Sequence, residues 1–194
     1  MNDVSFDPGG VGVHNGNYFG FPWKAEECDI VIVNVPWDAT TSYRRGTARG
    51  PEAMIKASTQ LDFYSFDNPG APLVRCGTDN TLHERVLAMN ETAGGLSAEV
   101  IEMLERGCPE SDPRIIQLTS QVNKISGELE SLVHERCRFW IGQGKGIIIA
   151  GGEHSVPLGH LRALAEVHSS FGILQIDAHA DLRLAYEGFE QSHA

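Results

Sequence analysis

Residues 146–177, GIIIAGGEHSVPLGHLRALAEVHSSFGILQID, hold two short apolar runs on either side of an amphipathic stretch. The runs at 146–152 and 171–177 are rich in isoleucine, which is typical of strands buried on both faces of a parallel sheet. Between them the pattern predicts a helix over 156–168 with Ser155 as its N-terminal cap. Strand, helix and strand in this order predict a right-handed parallel β-α-β unit, and therefore an α/β fold.

The residues upstream extend this pattern. The run CDIVIVNVP at 28–36 is nearly continuous in β-branched residues and predicts a further buried strand. Proline near the start of GPEAMIKAS is typical of a first helical turn. The expected helices cover about 51–58, then 81–106 in two pieces broken at Gly94 and Gly95, and then about 113–140, where an apolar stripe recurs every three or four residues.

Length and composition limit the classes of protein that this chain represents. Its 194 residues suffice for one domain, taken as 1–194 with an irregular arm at 1–27. The formal net charge of −11 argues against a nucleic-acid partner, which requires a basic surface. No apolar run reaches the roughly 18 residues of a membrane span. The four cysteines form no C-x-x-C pair, and the first residues lack the features of a secretory signal, so we expect a reduced, cytoplasmic protein.

Two polar clusters follow the apolar runs of the β-α-β unit. His154 follows the first run, and Asp177, His179 and Asp181 alternate with alanine at the end of the second. The carboxyl ends of parallel strands meet at one sheet edge, where ligands bind. An extended chain would spread Asp177 and Asp181 over roughly 13 Å, too far for one ion. Either the chain curls after Asp177 or two ions are bound.

The chemistry of these side chains favours a metal site. Two carboxylates and an imidazole at a buried strand end are costly without a cation. Mixed imidazole and carboxylate ligands suit Mn, Zn, Ni or Fe better than Ca or Mg. A lone histidine such as His154 is more often structural, and an α/β binding protein without metal stays open as an alternative.

Five segments carry a resemblance to a known family. GGEHS at 151–155 and DAHADLR at 177–183 match signature motifs of the ureohydrolases, the arginase and agmatinase family. VPWD at 35–38 and RRGTARGPEAMIKAS at 44–58 resemble the early strand of that family and its glycine-rich segment. YEGFEQSHA at 186–194 resembles the segment that carries an active-site histidine.

The resemblance implies a fold and a set of site residues. The fold is a three-layer α/β/α sandwich with a mainly parallel sheet, incomplete in this chain. His154 and Asp181 would ligate one metal ion, His179 the other, and Asp177 would bridge both. His193 would shuttle a proton. The ions would be two Mn²⁺, with nickel as an alternative.

The activity implied is hydrolysis of a guanidino compound to urea, with a small cationic, agmatine-like substrate and a homo-oligomeric protein. Asp181 and His193 would carry the proton that the leaving amine requires. The family has a later motif with two more aspartates, which has no counterpart before the chain ends at Ala194. We therefore expect the N-terminal portion of a ureohydrolase, inactive alone. A deacetylase of the same fold with one zinc ion, or a non-catalytic subunit or fragment, are the alternatives.

Overall fold

The computed structural model describes residues 6–63, 67 and 74–193. The predictions for residues 1–5 and for Ala194 lie outside the described residues. Short 3-10 turns occur at Tyr18–Gly20, Ala25–Glu27 and Thr47–Arg49. The strands and longer helices follow in the order β1 (Ile30–Val35), α1 (Gly50–Ser58), β2 (Cys76–Asp79), α2 (His83–Glu105), α3 (Pro113–Gly142), β3 (Gly146–Gly151) and α4 (Leu158–Val167).

The described strands form a parallel sheet in the order β2-β1-β3. In the register, Val33 of β1 lies beside Asp79 on one side and beside Ile149 on the other. Since all three strands run the same way, their carboxyl ends share one edge. The predicted parallel sheet is confirmed, and the residues after Val35 and Gly151 are brought together at that edge.

The two faces of the sheet are covered by different helices. Val31, Val33 and Val35 are fully buried in one cluster with apolar side chains of α2, α3 and α4. On the opposite face, Ile32 packs in a cluster with Tyr18 and with Ile55 of α1. Because alternate residues of a strand point to opposite faces, β1 forms the central layer of three. The expected three-layer sandwich is therefore confirmed for the described part of the chain.

Helix α2 is one continuous helix, and the predicted break at Gly94 and Gly95 is wrong. A glycine inside a helix costs about 1 kcal/mol relative to alanine. Burial of Val86 and Val100, which are fully buried on the core side of α2, outweighs that cost. Gly94 also leaves room for Arg45, because a Cβ atom there would lie 2.2 Å from the guanidinium carbon.

Helix α3 matches its prediction closely, since it covers Pro113–Gly142. The side chain of Asp112 caps it by accepting a hydrogen bond from the Arg114 amide at 2.8 Å. Leu118 and Val122 of the predicted stripe are buried in the core. Within the described ranges, no helix combines the length and the apolar character needed to span a lipid bilayer.

The strand predicted at 171–177 is not formed. Ile173, Leu174 and Ile176 are 66%, 87% and 91% exposed, and this segment pairs with none of the described strands. A β-branched run becomes a buried strand only when neighbouring strands supply hydrogen bonds and helices cover its faces. The described residues supply neither, so the β-α-β unit predicted from this run is not completed.

Two smaller predictions are also corrected. Helix α4 begins at Leu158, with Pro157 at the N-cap position and no side-chain cap, so Ser155 is not the cap. The hydroxyl of Ser155 donates to Glu153 instead, at 2.8 Å. Strand β2 was not predicted, because CGTD is short and contains glycine and aspartate, which are uncommon in strands. Its pairing with β1 makes it a strand.

Candidate functional site

The loops that follow β1 and β3 pack directly against each other at the carboxyl edge of the sheet. The amide of Glu153 donates to the carbonyl oxygen of Trp37 at 2.8 Å. A Cβ atom on Gly152 would lie 1.7 Å from the same carbonyl oxygen, so a larger residue does not fit there. The glycine before the GGEHS acid is thus required by a close approach of two backbones.

Glu153 anchors both loops through its carboxylate, which is buried with 5% of the residue exposed. It accepts hydrogen bonds from the Trp37 indole at 3.0 Å, from the Thr40 amide at 3.2 Å and from the Thr40 hydroxyl. Burial raises the pKa of Glu153 above its ordinary value, although these hydrogen bonds oppose the shift. The carboxylate fixes the backbone on either side of His154.

His154, Asp177 and Asp181 form the candidate metal cluster. One potential ligand atom from each lies within 4.8 Å of the others, and within the described ranges no other such group occurs. The imidazole of His154 contacts the Asp181 carboxylate and lies 3.8 Å from Asp177 Oδ2. Asp181 has a φ of 47°, so the chain turns in the left-handed region. The chain also bends at 177–179, so it curls after Asp177, which is one of the two arrangements that the spacing left open.

Asp177 faces a second histidine with its other oxygen. Asp177 Oδ1 accepts a hydrogen bond from the His179 amide at 2.9 Å and lies 3.7 Å from His179 Nδ1. The backbone hydrogen bond from His179 lowers the pKa of Asp177, and the His154 and His179 imidazoles act in the same direction. The side chain of His179 is 81% exposed and lies outside the three-residue cluster.

His193 is held at the same edge by the loop after β1. Its Nδ1 atom lies 3.1 Å from the carbonyl oxygen of Thr40, and its Nε2 atom lies 3.1 Å from Ser42 Oγ. The ring of Tyr186 meets the His193 ring edge-on, with centroids 6.0 Å apart. His193 has no contact with the metal cluster among the described hydrogen bonds, which suits a residue that is not a ligand.

A cleft of about 770 Å³ contains all the predicted site residues. His154, Asp177, His179, Asp181 and His193 line it together with Ser42, Arg183 and Tyr186. The Arg183 guanidinium stacks over the Tyr186 ring at 4.8 Å. The lining therefore combines imidazoles and carboxylates with an aromatic ring and a cation.

Several of these residues were not predicted from the sequence. Thr40 and Ser42 lie in the loop after the first strand, and their place beyond the end of a parallel strand was the signal that would have found them. Arg183 ends the recognised motif at 177–183 and Tyr186 begins the segment at 186–194, but neither was singled out because its residue type and spacing carry no signal of its own. Glu153 stands inside a recognised motif, but its role depends on contacts with a loop more than 100 residues away.

Arg45, in the loop after β1, has a structural role. Asp38 accepts hydrogen bonds from Arg45 Nε at 3.0 Å, from the Gly46 amide at 2.6 Å and from the Ala48 amide at 3.1 Å. Burial alone would raise the pKa of Asp38, but these bonds and one from Asn90 together lower it. Arg45 thus holds the glycine-rich segment in place rather than lining the cleft.

The sequence of this chain is similar to those of known enzymes. Residues 28–194 match the model of the Arginase family. The N(1)-aminopropylagmatine ureohydrolases of Synechocystis sp. and of Thermus thermophilus are each 30% identical over 85% and 87% of the chain. An agmatinase from Bacillus subtilis is 27% identical over 87% of it. The matches cover 44%, 45% and 46% of these relatives, so the chain spans less than half of their length.

Solved structures share the fold. The agmatine ureohydrolase of Thermoplasma volcanium and the proclavaminate amidino hydrolase of Streptomyces clavuligerus superpose with TM-scores of 0.53 and 0.55. Both are 21% identical, and the superpositions cover 89% and 95% of this chain but 45% and 51% of theirs. Since the family match extends from 28 to 194, over most of the sequence, the chain belongs to the arginase family.

Proposed function

We propose that the cleft is the site of a metal-dependent hydrolase that releases urea from a guanidino compound. The observation that carries this proposal is the cluster of His154, Asp177 and Asp181 beside His193, at the carboxyl edge of a sheet in an arginase-family chain. The names of the relatives, agmatinase and ureohydrolase, support the same class of reaction.

The residues present fit divalent ions. One imidazole nitrogen and two carboxylates within 4.8 Å make a donor set that suits Mn²⁺ or Ni²⁺. The two oxygens of Asp177 face His154 and His179 separately, which supports its assignment as a bridge between two ions. His154 and Asp181 would complete one ion site, and His179 would contribute to the other. Two Mn²⁺ ions are the proposed cofactors.

A guanidinium is resonance-stabilised, so its carbon reacts only with a strong nucleophile. Bound divalent ions would lower the pKa of a water molecule and polarise the substrate. The chain's own residues would then move the proton: Asp181, inside the cluster, accepts it, and His193 exchanges it with solvent for use by the leaving amine. The products would be urea and an amine.

A cationic, agmatine-like substrate is proposed because agmatine stands in the names of the ureohydrolase relatives. We propose that the protein acts in the cytoplasm as a homo-oligomer, without a nucleic-acid partner.

This chain is expected to be inactive on its own. His179 is largely exposed, and the two further aspartates of the family pattern are absent from the sequence. The second ion would therefore have few ligands. The exposed side chains of Ile173, Leu174 and Ile176 also predict low solubility. A non-catalytic subunit or fragment thus remains the second candidate, ahead of a single-zinc deacetylase, which the GGEHS histidine does not fit.

Metal analysis and a urea assay test the proposal. The purified chain is dialysed against Mn²⁺ and its metal content is measured, and urea release from agmatine, arginine and guanidinobutyrate is then measured. The same assay is applied to any longer protein that the reading frame past codon 194 encodes. We expect Mn²⁺ retention by the chain and urea release only by a longer protein with two ions. One reproducible zinc ion would favour the deacetylase, and no bound metal in either form would contradict the proposal.

A further inference from the structure

Both ring nitrogens of His193 are bound by a single short loop. Nδ1 lies 3.1 Å from the Thr40 carbonyl oxygen, and Nε2 lies 3.1 Å from the hydroxyl of Ser42, two residues further along. Ser42 and His193 also line the cleft that contains the metal cluster. The hydroxyl that contacts Nε2 therefore belongs to another residue of the cleft lining.

The chemistry of these two partners determines which nitrogen carries hydrogen. A carbonyl oxygen only accepts hydrogen bonds, so Nδ1 must donate to Thr40 and must carry a hydrogen. In the neutral ring Nε2 is then an acceptor, and the Ser42 hydroxyl donates to it. In the imidazolium form Nε2 donates and the same hydroxyl accepts. The contact therefore persists in both protonation states of the ring.

The loop that makes these contacts is rigidly attached. Thr40 is fully buried, and both its amide and its hydroxyl donate to the buried carboxylate of Glu153. Glu153 precedes His154 in the chain. One buried carboxylate thus fixes the backbone at the candidate metal ligand and the carbonyl that orients His193.

We propose that Ser42 is a positioning residue for His193. Together with the Thr40 carbonyl, it holds the ring in the tautomer with hydrogen on Nδ1 and keeps Nε2 in a hydrogen bond at the wall of the cleft. The catalytic consequence of this positioning, a proton path through His193 Nε2, rests on the proposed function. The tautomer and the hydrogen bond to Ser42 do not depend on it.

Nuclear magnetic resonance of the chain with ¹⁵N-labelled histidine tests this proposal without metal or turnover. Long-range ¹H–¹⁵N spectra are recorded at about pH 9, well above the ordinary pKa of imidazole. His193 is assigned from the signals lost in His193→Asn. We expect Nδ1 at the protonated position and Nε2 at the unprotonated position. In Ser42→Ala the Nε2 resonance moves downfield because the hydroxyl donor is gone, and in Ser42→Thr it stays near the wild-type value.

A matched control is Ser131→Ala, which removes an exposed hydroxyl of α3 that donates to Gly127 at 2.9 Å. It should leave the His193 signals unchanged. Hydrogen on Nε2 in the wild-type chain, averaged signals from both tautomers, or an Nε2 resonance that is the same in Ser42→Ala would each overturn the proposal. If Ser42→Ala does not fold, the wild-type tautomer and Ser42→Thr decide the question. Failure of the urea assay alone would contradict the proposed function but not this inference.

Discussion

The imidazole of His154 contacts the carboxylate of Asp181, although 27 residues separate them in the chain. His154 follows β3 directly, whereas Asp181 ends an exposed segment that turns at a φ of 47°. The contact brings the motifs at 151–155 and 177–183 together without a metal ion. A cation would replace the direct pairing of these groups, since both are potential ligands of one ion.

The bridging assignment of Asp177 predicts an order of metal affinities. Asp177→Asn should weaken Mn²⁺ binding more than His179→Asn, because its two oxygens face both histidines while His179 faces one carboxylate. Loss of a hydrogen-bond partner of a ligand already costs about 10–100-fold in affinity, so loss of a bridge should cost at least as much. Calorimetric titration of a longer form of the protein that holds both ions measures this. Asp29→Asn, at the opposite end of β1, is the control, and equal losses in the two ligand variants would contradict a bridge.

Replacing His193 should separate turnover from metal binding. In a longer, active form of the protein, His193→Asn should lower turnover by about 10²–10⁴-fold, the usual contribution of general acid–base catalysis. Metal content should not change, since both ring nitrogens contact Thr40 and Ser42 rather than the cluster. Rates and elemental analysis of the same samples test this, with added imidazole as a rescue. His168→Asn, an exposed histidine, should behave as wild type. Metal lost together with activity would refute a pure proton-transfer role.

Two glycine substitutions should have opposite effects on the stability of the folded chain. Gly152→Ala should prevent correct packing, because the new Cβ would lie 1.7 Å from the Trp37 carbonyl oxygen and one of the two loops would have to move. Gly127→Ala, within α3 and with no atom close to its added Cβ, should stabilise the chain by about 0.5–1 kcal/mol. Urea unfolding followed by tryptophan fluorescence measures both. Comparable stabilities for the two variants would show that the backbones at Gly152 and Trp37 can move apart at little cost.

The stability of the chain should fall in acid partly through Asp79. Burial alone would raise the pKa of this carboxyl, but hydrogen bonds from Arg136, Thr81 and Trp140 outweigh burial and lower it from 3.8. The folded state therefore favours the ionised form. The resulting stability is present above the unfolded pKa near 3.8 and is lost as the pH falls through the lower folded value.

Asp79→Asn should remove this acid dependence. At pH 7 it should lower the free energy of unfolding by about 1.5–3 kcal/mol, the usual value for hydrogen bonds to a charged group. Below about pH 4 the difference from wild type should shrink. Unfolding free energies at several pH values measure the difference, with Asp29→Asn as an exposed control. A constant difference at all pH values would mean that folding does not lower the pKa of Asp79.

The sequence predicts an element correctly where the residues of that element alone contain the pattern that forms it. The β-branched run of β1 predicted a buried parallel strand, and the apolar stripe with proline at its start predicted α3. The isoleucines of β3 predicted a parallel strand correctly, but its predicted burial is wrong, since Ile148 is 47% exposed. Asp177, His179 and Asp181 were predicted as metal ligands from their residue types and spacing, and His154 from the resemblance of its motif to a known family. These features depend on side-chain periodicity and ligand chemistry, which are properties of the chain itself.

Only the tertiary structure decided the remainder, because it depends on what each segment meets. Gly94 and Gly95 stay helical because α2 is buried on one side, whereas 171–177 forms no strand because no described strand pairs with it. The roles of Glu153 and Ser42 depend on partners more than 100 residues away. The sequence by itself predicted β1, β3, the long helix α3 and the candidate ligand residues. Burial and long-range hydrogen bonds determined which helices continue, which strand fails to form and how His193 is held, since these contacts exist only in the folded chain.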